Sequence, residues 1–253
     1  MGGWSALKEI LLSDWLDEIK SQFILNFIND ERWRFLLNGL VVTLRITFFA
    51  LLIGIAIGVV IAIVRSTYDK TLDKIRTGAG RFILSFFNGV CKFYLTVIRG
   101  TPVVVQLMIF FFVILVSIRS GELIGIIAFG INAGAYIAEI FRSGIMSIDN
   151  GQFEAGRSLG FNYIKTMQYI VIPQAFKNIL PSLANEFIVL LKETAVVGYV
   201  AVQDLTKAGD IIRGRTFSAF MPLIAVALIY LALVMFFSWL VGKLERRLRS
   251  NER

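Results

Sequence analysis

Charge is absent from three long stretches of this chain, Ile46 to Val64, Thr101 to Ile118 and Thr216 to Gly242. Each is near or above the ~18 apolar residues a helix needs to cross a bilayer, so each predicts a membrane span. Two further runs, Leu123 to Ile145 and Ile179 to Val202, are as long but carry Glu139 and Arg142 in the first and Glu186, Lys192 and Glu193 in the second. Together the five runs predict an all-α membrane protein with five transmembrane helices. Ahead of them, in residues 1–35, Leu7, Leu11 and Trp15, with Leu12, Leu16, Ile19, Phe23 and Phe27, recur at three- and four-residue intervals, and charged residues fill the gaps. That period predicts an amphipathic helix, lying on the membrane surface or packed against a neighbouring span. It has no continuous apolar stretch of the signal-peptide kind.

Composition sharpens this picture. Of 253 residues, 57% are hydrophobic and 17% charged, against about 25% charged in a soluble domain. The spans leave room for one transmembrane domain, residues 36–245, with a polar loop at about 146–178 and a basic tail at 246–253. Lys and Arg fix its orientation: sixteen fall in Arg65 to Arg81, Lys92 to Arg99, Arg142 to Lys177 and the tail, on one side, and eight on the other. The positive-inside rule then puts the C-terminus and the 146–178 loop in the cytoplasm and the N-terminus outside. The net charge of +8 follows from cytoplasmic loops beside anionic lipid and calls for no nucleic-acid partner.

Most chemistries are excluded within the chain. It has no His and a single Cys, Cys91, so thiol-rich metal sites, disulfides and His-based general-base triads are absent. Gly78 and Gly80 are not followed by Lys-Ser or Lys-Thr at phosphate-loop spacing, so ATP is not bound that way. The intramembrane charges need a reason, because an ionised side chain in mid-bilayer costs at least ~2.5 kcal/mol on insertion scales. Arg142 and Lys192 can snorkel, and Glu139 can pair with Arg142 one turn on. Glu186 has apolar Phe187 to Leu191 on one side, with Lys192 nearly two turns away.

The polar segment Glu154-Ala155-Gly156-Arg157-Ser158-Leu159-Gly160 reads as a short helix, with Asp149 or Asn150 capping its start and Gly160 stopping it in a left-handed conformation. Glu154 sits near the positive end of the helix dipole. Ala155 and Gly156 would make one face flat for a partner surface. With Ile170, Ile172 and Pro173, the segment resembles the EAA loop of permease subunits of ATP-binding-cassette importers, with Gly156 in place of the second Ala and Ile172 in place of a Leu. Arg99-Gly100-Thr101-Pro102 with Gln106, Gly134 to Ile145, Leu180-Pro181, Asn185-Glu186-Phe187 and Lys192-Glu193-Thr194 are similar to the polar amino-acid uptake branch of that family.

The resemblance implies a binding-protein-dependent importer permease fold in a bacterial-type inner membrane and a second permease subunit. It implies a pair of cytoplasmic ATPases that hold the ATP and Mg, with no cofactor in this chain. It implies an extracytoplasmic binding protein that delivers an amino acid. Glu154, Ala155, Gly156, Arg157 and Gly160 would then couple to the ATPase. An amino acid's ammonium and carboxylate both need partners once stripped of water. Glu186 could meet the ammonium, and Gln106, Asn132, Tyr136 and Asn185 could supply neutral hydrogen bonds. The rival is an ion-coupled secondary transporter using Glu139 and Glu186 as intramembrane carboxylates.

Overall fold

A computed structural model describes residues 14–71 and 78–250, and every described element is helical. Helix α1 (residues 14–23) leads through a π turn, Ile24–Ile28, into α2 (Trp33–Thr71). After residue 78 come α3 (Ala79–Gly100), α4 (Val103–Ile109) with its π continuation Phe110–Ile114, and α5 (Gly121–Met146). The short α6 (Asn150–Ser158) and α7 (Tyr163–Thr166) precede α8 (Ile172–Glu193), α9 (Leu205–Thr216) and α10 (Phe220–Ser250).

Helices α2 and α5 form the centre and run parallel. Arg45 pairs with Glu122 at one end, and Arg65 with Glu139 and Asp69 with Arg142 at the other. Between these ends the contact is built on glycine. A Cβ on Gly54 would stand 2.9 Å from Ile137, one on Gly58 2.7 Å from Ile137, and one on Gly130 2.7 Å from Ile53. Gly54 and Gly58, and Gly130 and Gly134, are each four apart, so each helix carries the small-x-x-x-small pattern that lets backbones approach in lipid, where no hydrophobic force drives helices together. The core around them is Ile46, Ala50, Phe129, Ala133 and Ile137, all essentially buried.

By length and apolarity, four helices among the described residues suffice to cross a membrane: Trp33–Lys70, Ala79–Gly100, Gly121–Met146 and Phe220–Leu248, with Val103–Ile114 a shorter apolar helix. The Ile46, Leu123 and Thr216 runs thus fall on helices as expected. Three other stretches depart from expectation. Residues 79–100, where the hydropathy pattern predicts no span, form one helix, because Arg81, Lys92 and Arg99 fall on one face and leave the apolar face whole. The span expected at Thr101 to Ile118 is broken into α4 and a π turn that ends in non-helical backbone at Leu115. The run expected at Ile179 to Val202 is α8, with Pro181 inside it, followed by a 3-10 stretch, Thr194–Val200.

The N-terminal segment packs more than a surface helix would. Leu7, Leu11 and Leu12 lie outside the described residues, and Trp15, Leu16 and Phe23 are exposed. Asn26 is fully buried and its Oδ1 accepts from the Thr216 hydroxyl at 2.8 Å. Phe27 joins Leu36, Leu205, Ile212 and Val226 in a cluster between α2, α9 and α10.

Candidate functional site

The polar segment of residues 149–173 builds a stop-and-turn unit. Asp149 caps α6 by accepting the Gly151 N–H at 2.6 Å. At the other end Gly160 has φ +78°, the left-handed region that glycine enters without a Cβ penalty. Its N–H donates to the Arg157 carbonyl and the Phe161 N–H donates to the Gly156 carbonyl, at 2.9 and 3.0 Å. That crossed pair is the Schellman stop, which satisfies carbonyls the helix would leave orphaned.

Helix α6 has two distinct faces. Glu154, Ala155, Arg157, Ser158 and Leu159 are exposed, and Glu154 and Arg157 approach to 3.9 Å. Gly156 is buried instead, which corrects the expectation that it joins Ala155 in a flat outer face. A Cβ there would lie 2.7 Å from both the Cγ2 and the Oγ1 of Thr166, so glycine stands at this position to admit α7. The inner face is tied to the bundle. Lys70 Nζ, near the end of α2, donates to Asn150 Oδ1 at 2.8 Å and stands 4.5 Å from the Phe153 ring centroid. Gln174 of α8 donates to Gln152 Oε1 at 3.0 Å. A cleft of about 470 Å³ opens between Lys70, Phe153, Arg157, Tyr163 and Thr166. Burial in this region pushes the Tyr163 phenol up, opposed by its hydrogen bond with Thr67.

Inside the bundle the structure unites two of the expected polar residues and leaves three apart. Gln106 Nε2 donates to the Ile98 carbonyl at 2.7 Å and the Thr101 hydroxyl at 2.7 Å, with the Thr101 carbonyl at 3.1 Å. Its Oε1 accepts from Asn132 Nδ2 at 2.9 Å. Gln106 therefore replaces the helix hydrogen bonds lost at Gly100-Thr101-Pro102, a break tolerated at membrane depth only where protein satisfies the backbone. Tyr136 lies elsewhere on α5, with the Arg99 guanidinium 5.8 Å from its ring centroid. On α8, Asn185 is exposed and Glu186 half-buried. No hydrogen bond or ion pair reaches Glu186 from the described residues, so a pairing with Lys192 is not what holds it. The neighbouring Phe187 packs on Phe237 of α10 at 4.8 Å.

Glu139 is not a lone carboxylate. Its oxygens accept from Arg65 at 2.9 Å and from Arg142 at 3.0 Å, with Arg99 at 3.6 Å. The expected pairing with Arg142 is present, and two arginines distant in sequence join it. A carboxylate so held offers no open site for a coupling ion. Cys91 packs against the buried cluster of Ile61, Leu95, Ala135 and Ala138 as a small apolar residue. Sequence reasoning missed the Arg65 and Arg99 contacts and the Lys70 tie, all long-range, but the paired glycine spacings were there to be read.

With this geometry in hand, comparison with known proteins decides the family. Residues 55–250 match the model of the binding-protein-dependent transport system inner membrane component. The chain belongs to this family. It is thereby a multi-pass protein of a bacterial inner membrane, and the ion-coupled reading of Glu139 and Glu186 is set aside. The arginine transport system permease protein ArtQ of Bacillus subtilis is 36% identical over 221 residues, covering 86% of this chain and 94% of ArtQ. The glutamine transport system permease protein GlnP of Escherichia coli K12 is 36% identical over 166 residues, 64% of this chain and 76% of GlnP. Among solved structures, an amino acid ABC transporter with histidines aligns at TM-score 0.75 and 38% identity over 87% of this chain and 98% of that one. The methionine transporter MetNI, inward facing, aligns at TM-score 0.72 with 20% identity, a likeness of fold alone.

Proposed function

We propose that this chain is the transmembrane subunit of an ATP-driven amino-acid importer, in which α6 receives the movement of a cytoplasmic ATPase. The observation that carries this is α6 itself: one face exposed, the other fastened to α2 through Lys70 and to α8 through Gln174. A helix stopped by glycine and tied to two long helices transmits a push to both. ATP and Mg belong to the ATPase pair, a second permease subunit completes the pathway, and an extracytoplasmic binding protein delivers the substrate. The amino-acid class is supported by the relatives named above.

Five crossings fit the contacts better than hydropathy alone suggests. Because α2 and α5 are parallel, the chain must recross between them. Helix α3 does not do so: Lys92 lies by Tyr68, Tyr94 OH donates to the Ile131 carbonyl, and Arg99 lies by Glu139, so these residues stay at the Arg65 half. The return is α4 with its π turn, from Gln106 at Asn132 to Phe111 at Gly121. Helix α8 then rises from Gly144 to Thr47, and α10 descends. On this reading α6 and the C-terminus lie on one side and the N-terminus on the other, and the excess of Lys and Arg supports a cytoplasmic α6 side.

Within the membrane, Glu186 is the group we assign to the substrate's positive charge. It is half-buried, next in the chain to Phe187, and takes no hydrogen bond or ion pair from the described residues, so an incoming ammonium would relieve its cost. Asn185 and Tyr136 are open to donate or accept. Gln106 and Asn132 act by holding the α4 entry in shape. The reading is tested by uptake in the reconstituted assembly with a catalytically dead ATPase, which should abolish transport; undiminished uptake would remove it. Orientation is tested separately. Ser158→Cys should resist an impermeant thiol reagent outside intact cells, and Thr206→Cys should react.

A further inference from the structure

The charge cluster around Glu139 has more cation than it uses. Arg65, Lys92, Arg99 and Arg142 converge there against two carboxylates, Glu139 and Asp69. Glu139 already serves three guanidinium groups. Lys92 has no carboxylate among the described residues, only the Tyr68 ring at 5.9 Å. Arg65 is well buried, with 16% of its side chain exposed, and its Nε is buried without a hydrogen-bond partner. A buried charged donor left unsatisfied is costly and calls for an acceptor.

These groups border a cleft of about 520 Å³ between α2, α3 and α5, where Thr96 adds a hydroxyl. The cleft is not surrounded by water-facing surface alone. On α3, Lys92, Thr96 and Arg99 recur at intervals of four and three and so share one face. Beside it Phe86, Phe93 and Val97 are exposed, Phe93 by 72%. A cationic cleft flanked by an apolar helix face is complementary to a molecule with an anionic head and hydrocarbon tails. Basic pockets between helices on the cytoplasmic side are the usual place for such heads.

We propose that this cleft binds the phosphate of an anionic phospholipid of the cytoplasmic leaflet, held by Lys92 and Arg99 beside the Arg65 guanidinium, with the acyl chains along Phe93 and Val97. The leaflet, though not the binding, rests on the orientation proposed above. Occupancy would pin α3 against the α2–α5 pair next to the α4 entry.

The test counts lipid on the assembled, detergent-solubilised transporter by native mass spectrometry while phosphatidylglycerol is titrated against phosphatidylcholine. Lys92→Gln should weaken phosphatidylglycerol retention about fivefold, the effect of one basic group near an anionic head, and Lys92→Arg should restore it. Phe93→Ser should weaken it further while leaving any effect of inorganic phosphate unchanged. Lys92 is exposed, so equal thermal stability in phosphatidylcholine alone will show that the variant folds. Equal retention by the wild type and Lys92→Gln would overturn the proposal. So would competition by millimolar inorganic phosphate that removes the lipid's advantage, since the cleft would then hold a small anion. Lipid counting needs neither ATP nor uptake, so its failure and that of the proposed function are separately visible.

Discussion

The α2–α5 seam and the α6–α7 unit both rely on glycine, for opposite ends. In the seam, Gly54, Gly58, Gly130 and Gly134 remove side chains so that two long helices can touch along their length, and the neighbours they admit are the fixed bodies of Ile53, Ile57 and Ile137. In the loop, Gly156 admits Thr166, with Ile170 Cδ1 next at 3.2 Å, while Gly160 meets nothing within 4 Å and is needed only for its backbone angle. The seam is rigid through packing, the loop through caps and ties. Substitutions at the first should therefore destroy the protein, and those at the second should leave it folded and idle.

The sharpest break of that comparison is Gly134→Leu. Its Cβ alone would come within 2.9 Å of both Ile57 and Tyr94, and overpacking in a filled core costs typically 1–3 kcal/mol, occasionally more. Folded yield in detergent should fall severely, with no matching loss for Gly100→Leu, where nothing lies within 4 Å. Equal yields would mean the seam yields more easily than described.

Next in size is Glu186→Gln, which keeps shape and removes charge. A charge-assisted contact contributes ~1.5 to 3 kcal/mol, so half-saturation for uptake should rise roughly ten- to a hundredfold with basal ATP hydrolysis intact. Unchanged affinity with lower stability would instead make Glu186 a structural group.

Gly156→Ala should do least. The residue it would bring is the Ala of the EAA pattern, yet Thr166 stands 2.7 Å from the new Cβ. A cost of about 1 kcal/mol is expected, seen as a lower melting temperature of the assembly. Thr166→Ala in the same chain should recover it, because the hydroxyl of Thr166 makes no hydrogen bond there. Failure of the double variant to recover would show that the crowding lies elsewhere.

These contrasts also mark what was legible in the sequence. The long apolar runs, the capped short helix and the left-handed Gly160 were readable because each is local: hydropathy, cap chemistry and φ depend on neighbours in the chain. The helix break at Gly100-Thr101-Pro102 is local too, since its proline lacks an N–H, but its repair by Gln106 and Asn132 is not, since hydrogen bonding 26 residues apart leaves no periodic trace. Gly156 misled because a missing side chain looks the same whether it admits an outside partner or a neighbouring turn. Helix α3 was hidden by its own Lys92 and Arg99, which break a hydropathy run without breaking a helix. Glu139 was only half readable: Arg142, one turn away, was visible, and Arg65 and Arg99 were not.

The central claim is that force enters through α6, and substrate-stimulated ATP hydrolysis in the reconstituted assembly tests it most directly. Gly160→Val places a β-branched residue at φ +78°, a true outlier for such a side chain, in a spot with free space around it. The account predicts normal folded yield and basal ATP hydrolysis, with stimulation by the loaded binding protein and uptake both lost. Stimulation and uptake at wild-type levels in Gly160→Val would contradict it.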